Sequence, residues 1–282
     1  MSQGLTRASP SAAASSRGRA CARHAGLSAS IALTAVKASN RYQNDGRVSA
    51  SNPSAAQQPT VMKLATATIN DIQHDWLKRF AAEVEKASAG RIKSEIYPAS
   101  QLGSIPRQIE GTQFGSIQAW AGPPQFLTGL DSRFEILSSP GIFKDTAHAS
   151  RVINDPAFAK AFLGLGANKG LVGIGLFMHG PAGIVTRTKS TKLADLEGKK
   201  IRVLASPMEV EPMRRLKATP VPMSLGEVLP ALQQGAIDGA MSPITVFSTM
   251  RFYDAAKYFL GTEHAQIAGI TVVSKTWLDK LP

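Results

Sequence analysis

The chain has 282 residues, 43% of them hydrophobic and 18% charged, which excludes a fibrous or wholly disordered protein and suffices for one large or two ordinary α/β domains. The net charge of +12 divides between seven basic residues against Asp45 in the first 60 and 25 basic against 19 acidic side chains in the remainder, spread without a basic run. Nucleic acid is therefore not an expected partner. Cys21 is the only cysteine, which excludes a disulfide framework and a cysteine-based metal site, and no run of 18 apolar residues offers a membrane span.

Residues 1–60 are rich in Ala and Ser, basic and without amphipathic period, so disorder is expected there. Within them Ala25–Val36, preceded by four arginines, has the shape of a weak secretion-signal core, with small residues around Ala38 where cleavage could fall. A transit-type leader or a misassigned start fits the same composition. Val61–Ala67 then reads as a strand and Asp71–Ser88 as a helix, in which Trp76, Phe80 and Val84 recur every four residues. Arg91–Tyr97 alternates as a second strand, giving a βαβ unit with a parallel pair.

Further along, Ile105–Phe114 reads as a helix, Ser116–Ala121 as a strand, and Gly122-Pro123-Pro124 as the turn at that strand's end. Trp120, Gln125 and Phe126 are thereby candidates for a crevice. A turn-rich crossover, Ser138–Asp145 with Phe143 in it, leads to helices at 146–154 and 156–168. Strands follow at 170–177 and 182–187, separated by His179-Gly180-Pro181, which reads as a turn. After 201–204 come a helix at 208–217, a strand at 221–223, and a helix at 225–234 opened by Ser224 with Glu227 three residues on, a capping box. A strand at 237–242, a helix at 243–250, strands at 255–261 and 266–274 and the start of a helix at 276–281 complete the chain.

Catalytic and cofactor signatures find little support. Gly164-Leu165-Gly166 follows a helix and precedes a strand, the reverse of a dinucleotide loop. The five histidines have no shared metal spacing, and no Gly-x-Ser-x-Gly elbow serves a hydrolase. No cofactor or metal is expected. Attention falls instead on Ile201-Arg202-Val203-Leu204, where one fixed positive charge interrupts an apolar strand leading into a helix at Ser206-Pro207. In open α/β sheets such strand ends face the ligand crevice, and a guanidinium fork fits a carboxylate with two parallel hydrogen bonds. The alternative is an edge arginine, solvated or paired with Glu197 or Glu209.

Four stretches, taken in order, carry a resemblance. They are Gly90–Lys93 running on to Tyr97–Gly103, Leu196–Val203, Ala231–Gly239 and Val272–Pro282. Together, over about residues 61–282, they resemble the extracytoplasmic solute-binding subunits of TRAP transporters, the DctP-type family. The resemblance implies an α/β protein of the periplasmic binding protein type II kind, with two domains joined by hinge strands and a ligand cleft between them. The expected division is 61–184 with 268–282 returning to it, and 185–267. It also implies a periplasmic location, capture of an organic acid, and delivery to membrane permease subunits, without catalysis. Arg202 takes by position the family's carboxylate-binding role. Ser242, Met241, Trp120, Gln125 and Phe143 complete the expected ligand contacts.

Three departures shape that expectation. Pro181-Ala182 stands where many members carry a second arginine after the glycine, which favours a monocarboxylate, or an oxo or hydroxy acid, with an apolar or aromatic tail over a dicarboxylate. Met241-Ser242-Pro243 replaces a common Glu-Asn-Pro, so Ser242 offers one hydroxyl in place of an amide. Members usually continue past Leu281-Pro282, so the chain reads as shortened, and Ile267, Ile270, Val272 and Val273 are expected to be left partly uncovered. An enzyme acting on a small carboxylate, or a non-functional fragment, are the alternatives.

Overall fold

A computed structural model describes residues 59–204 and 206–281. The expectation of a disordered leader falls outside these residues, apart from Pro59 and Thr60. The first strand, β1 (Thr60–Thr66), is followed by α1 (Ile72–Ala87), β2 (Ile92–Tyr97), α2 (Ile105–Phe114) and β3 (Ala119–Gly122). Asp71 caps α1 by accepting the His74 N–H at 3.1 Å. The four-residue spacing then buries Trp76, Phe80 and Val84 along one stripe, and Trp76 stacks on Phe80 with ring centroids 5.3 Å apart. As the βαβ order requires, β1 runs parallel to β2 on one side and to β3 on the other.

Helices α3 (Thr146–Ile153) and α4 (Pro156–Leu163) lead to β4 (Leu171–Thr186). The second helix is shorter than expected, because Gly164 and Gly166 bring in a 3₁₀ turn before the strand. A larger difference concerns β4. The two strands expected at 170–177 and 182–187 are one 16-residue strand, and His179-Gly180-Pro181 is no turn but its kink. Register shifts fall between Gly173 and Gly175 and between Met178 and Gly180. Gly180 has φ +117°, a conformation that side-chain-bearing residues rarely adopt, so the strand bends there without breaking.

The rest comprises β5 (Lys200–Val203), α5 (Pro207–Arg215), β6 (Thr219–Pro222), α6 (Leu225–Gln234), β7 (Gly239–Pro243), α7 (Ile244–Thr249), β8 (Tyr258–Leu260), β9 (Gln266–Ser274) and α8 (Lys275–Leu278). Glu227 closes its half of the expected capping box by accepting the Ser224 N–H at 3.1 Å. The strands run β2-β1-β3-β9-β4-β7-β5-β6, with β8 against the end of β4. The first part of β4 pairs with β9, and its last residues pair with β7 and β8, so one strand serves two half-sheets. The fold is the two-domain α/β architecture that the sequence led us to expect. No helix among the described residues is long and apolar enough to cross a membrane.

Period-2 alternation divides the core between sheet faces. Met62, Leu64, Ala119 and Val273 lie on one face against α1, while Ala65, Trp120, Ile270 and Val272 face the opposite layer. In the second half-sheet Ile201, Val203 and Met241 form a further cluster with Met213 of α5. The expectation that Ile267, Ile270, Val272 and Val273 are left partly uncovered is corrected: all four are buried in β9, an interior strand flanked by β3 and β4.

Candidate functional site

Where the two half-sheets meet, the carboxyl ends of β1, β3, β5 and β7 border one pocket. This is where ligands bind in open α/β sheets. Ile105 and Leu225, the first residues of α2 and α6, also line it, so the partly positive ends of two helices border the space.

Arg202 is the only charged side chain of the lining among the described residues. Its neighbours Ile201 and Val203 turn into the core cluster of the second half-sheet, and alternation sends Arg202 to the other face at 1% exposure. Neither pairing foreseen as an alternative forms. Glu197 bonds Lys217 at 3.2 Å, and no carboxylate among the described residues lies in ion-pair contact with Arg202. Two backbone carbonyls hold the guanidinium instead: Nε donates to Met223 O at 3.0 Å and Nη1 to Met241 O at 3.3 Å. Burial pulls the group down to about 10, which leaves it cationic at neutral pH. A desolvated cation with unused N–H donors at a pocket wall can bind an anion in two parallel hydrogen bonds.

Behind it stands Glu209, the third residue of α5. Burial raises its carboxyl to about 7, a shift opposed by the Leu204 N–H that bonds it at 2.8 Å, by the Arg202 charge and by Gln125. Gln125 reaches it from the other half of the molecule, Nε2 to Oε1 at 3.4 Å. A second link across the cleft joins Ser206 Oγ to Glu135 Oε2 at 3.1 Å. Ser206 stands at the N-cap of α5, as expected, but its hydroxyl is spent on this bridge and not on the helix.

The expected site residues separate into two groups. Arg202, Ser242 and Trp120 line the pocket together, and so does Phe126. Met241 contributes its carbonyl to Arg202, while its side chain is buried in the core cluster of the second half-sheet. Gln125 sits behind the lining on Glu209, and Phe143 packs on the core with its ring edge-on to His148, centroids 5.7 Å apart. Trp120 owes its position to Gly122, where a β-carbon would lie 2.2 Å from the indole.

Sequence reasoning missed the other wall, built from Thr68, Gln73 and His179. Gln73 Nε2 donates to Thr66 Oγ1 at 2.9 Å and to Thr68 Oγ1 at 2.7 Å, and Gln73 Oε1 lies 3.2 Å from His179 Nε2. His179 Nδ1 and Trp120 Nε1 are buried with no hydrogen-bond partner among the described residues. Burial lowers the imidazole to about 4, opposed by Asp71, so it is neutral at physiological pH. The only signal in the sequence was a histidine beside a glycine in an apolar run. No group of three His, Cys, Asp or Glu among the described residues could hold a metal ion.

Comparison with known proteins agrees with this architecture. The model of the family described as "Bacterial extracellular solute-binding protein, family 7" matches residues 65–282. A 2,3-diketo-L-gulonate-binding periplasmic protein of Escherichia coli is 29% identical over 212 residues, 75% of this chain and 64% of that protein. The chain spans 68% and 65% of the length of two further curated relatives, so it matches about two thirds of each. Among solved structures, a TRAP periplasmic solute-binding protein from Bradyrhizobium with bound D-galacturonate superimposes at TM-score 0.75 and 30% identity. That match covers 78% of this chain and 74% of the other. Another from Polaromonas, bound to D-erythronate, gives 0.76 and 26%, covering 79% and 74%. The chain belongs to the DctP family of bacterial extracellular solute-binding proteins, family 7.

Proposed function

We propose that this protein is the solute-capturing subunit of a TRAP-type uptake system, holding an organic acid by a salt bridge between its carboxylate and Arg202 and delivering it to membrane permease subunits. The observation that carries this reading is the state of Arg202: a buried cation, held in place by two carbonyls, facing a pocket with no other charged side chain among the described residues. Leaving such a charge buried and unpaired is costly, and an entering carboxylate offsets that cost while fixing the ligand class. Closure of the lobes excludes water and strengthens the pair. We take the lobes as 61–184 with 268–282, and 185–267, and the location as the periplasm, as the name of the 2,3-diketo-L-gulonate-binding relative has it for that protein. Both the relative and the two structures described above bear on hydroxylated acids carrying a single carboxyl group, which suits a pocket with one arginine.

The test is calorimetric titration of the protein and of Arg202→Lys with D-galacturonate and D-erythronate. Lysine replaces two aligned bonds by one point charge, so affinity is expected to fall by about 1.5–3 kcal/mol. Unchanged affinity in a folded variant would remove Arg202 from the site. Following the free acid over time separates binding from turnover, since a carrier stabilised by its ligand leaves it unconsumed.

A further inference from the structure

Given the carboxylate site at Arg202, on which the inference rests, we propose that the wall of Thr68, Gln73 and His179 recognises a hydroxyl group, and that His179 is the residue selecting hydroxylated monocarboxylates over plain fatty acids and dicarboxylates.

The reasoning follows the protons. Gln73 spends both amide hydrogens on Thr66 and Thr68, so the atom it presents to His179 is its carbonyl oxygen. An oxygen there requires His179 Nε2 to be the donor, and the neutral ring then leaves Nδ1 as a bare lone pair. That lone pair is buried, unpartnered, and belongs to a residue 9% exposed in the pocket lining. Thr68 completes the arrangement: its oxygen accepts from Gln73, so its hydroxyl hydrogen is left to give. The wall thus holds one unpaired acceptor and one unused donor, the complement of an alcohol group, which both donates and accepts. Trp120 Nε1 adds an unused buried donor nearby in the lining.

The same wall rejects the competitors. A methyl group leaves the lone pair dry and unpaired, and a built polar site discriminates strongly against an analogue that cannot satisfy it. A second carboxylate would meet the Nδ1 lone pair with no cation at hand, because Arg202 is the only charged side chain in the lining among the described residues and burial keeps the imidazole neutral.

Three acids of four carbons separate these cases: D-erythronate, butyrate and succinate, titrated calorimetrically into the full chain and into His179→Leu and Thr68→Val. Erythronate is expected to bind at least about tenfold more tightly than either other acid. His179→Leu should remove that preference by weakening erythronate without weakening butyrate, which general damage to the fold would not do. Should His179→Leu fail to fold, Thr68→Val, which keeps the volume and loses the donor, is expected to narrow the preference severalfold. Equal affinities for erythronate and butyrate in the unmodified protein, or a preference that survives both substitutions, would overturn the assignment of His179. In that case, binding of all three acids that is weakened alike by Arg202→Lys would leave the carboxylate reading standing. Binding of none of them would overturn both.

Discussion

The pocket's two walls handle buried polarity by opposite means. On the Arg202 side a full charge is desolvated, pinned by the carbonyls of Met223 and Met241, with Glu209 behind it but outside ion-pair contact. On the His179 side a neutral chain runs from the threonine hydroxyls through Gln73 to the imidazole and ends in one free lone pair. The first wall suits strong attraction without discrimination among acids. The second suits weak attraction with strict geometry. A carrier needs both, because a charge alone accepts any carboxylate and a neutral wall alone holds none of them firmly.

The largest test removes the first wall. Arg202→Leu is expected to weaken acid binding by about 3–5 kcal/mol, while the melting temperature holds or rises, because an unpaired buried cation is gone. A parallel loss of binding and of melting temperature would mean that Arg202 holds the fold instead of the ligand.

Next comes the opposition of two titrations. Glu209 is raised from 4.5 to about 7, so its contribution to stability is full below pH 4.5 and is lost as pH rises through about 7. His179 is lowered from 6.5 to about 4, so its contribution is full above pH 6.5 and is lost as pH falls through about 4. Between pH 4.5 and 6.5 the two slopes cancel in part. Glu209→Gln should expose the His179 slope, on the order of 3 kcal/mol in total, as a steeper loss of stability in acid by chemical denaturation. Binding responds as well. An ionised Glu209 competes with the ligand for Arg202, so affinity should decline as pH rises through about 7, and Glu209→Gln should flatten that decline.

Gly122→Ala forces the Trp120 indole out of place and should cost about 1–3 kcal/mol of stability, with a matching change in tryptophan fluorescence. The smallest effect is expected from Gln125→Leu, which cuts a hydrogen bond across the cleft: affinity should change by less than about tenfold. A larger drop would make that link, and not the walls, decisive for binding.

The charged wall was legible in the sequence because its signal is local. One arginine inside Ile-Arg-Val is visible without knowing what lies opposite, and a four-residue period or a βαβ order is equally local, which is why α1 and the parallel β1–β2 pair follow from composition and spacing. The neutral wall was not legible. Thr68, Gln73 and His179 are ordinary residues until folding brings positions 73 and 179 within 3.2 Å, and nothing in a single chain marks such a pair. The kink in β4 was misread for a related reason. Gly180-Pro181 has turn chemistry, but the flanking partners β9 and β7 hold the chain extended through it, so tertiary pairing overrides the local preference.

One outer strand has a consequence for the protein's behaviour in a crowded compartment. β6 reads Thr-Pro-Val-Pro and, among the described residues, pairs with β5 alone, the N–H groups of Thr219 and Met223 reaching Lys199 O and Val203 O. By alternation the outward positions are 220 and 222, and both are proline, which has no N–H to give. The sheet therefore ends on a border stripped of donors at both places where an incoming chain would seek them. An incoming chain therefore finds no hydrogen-bond donors along this border on which to add a strand.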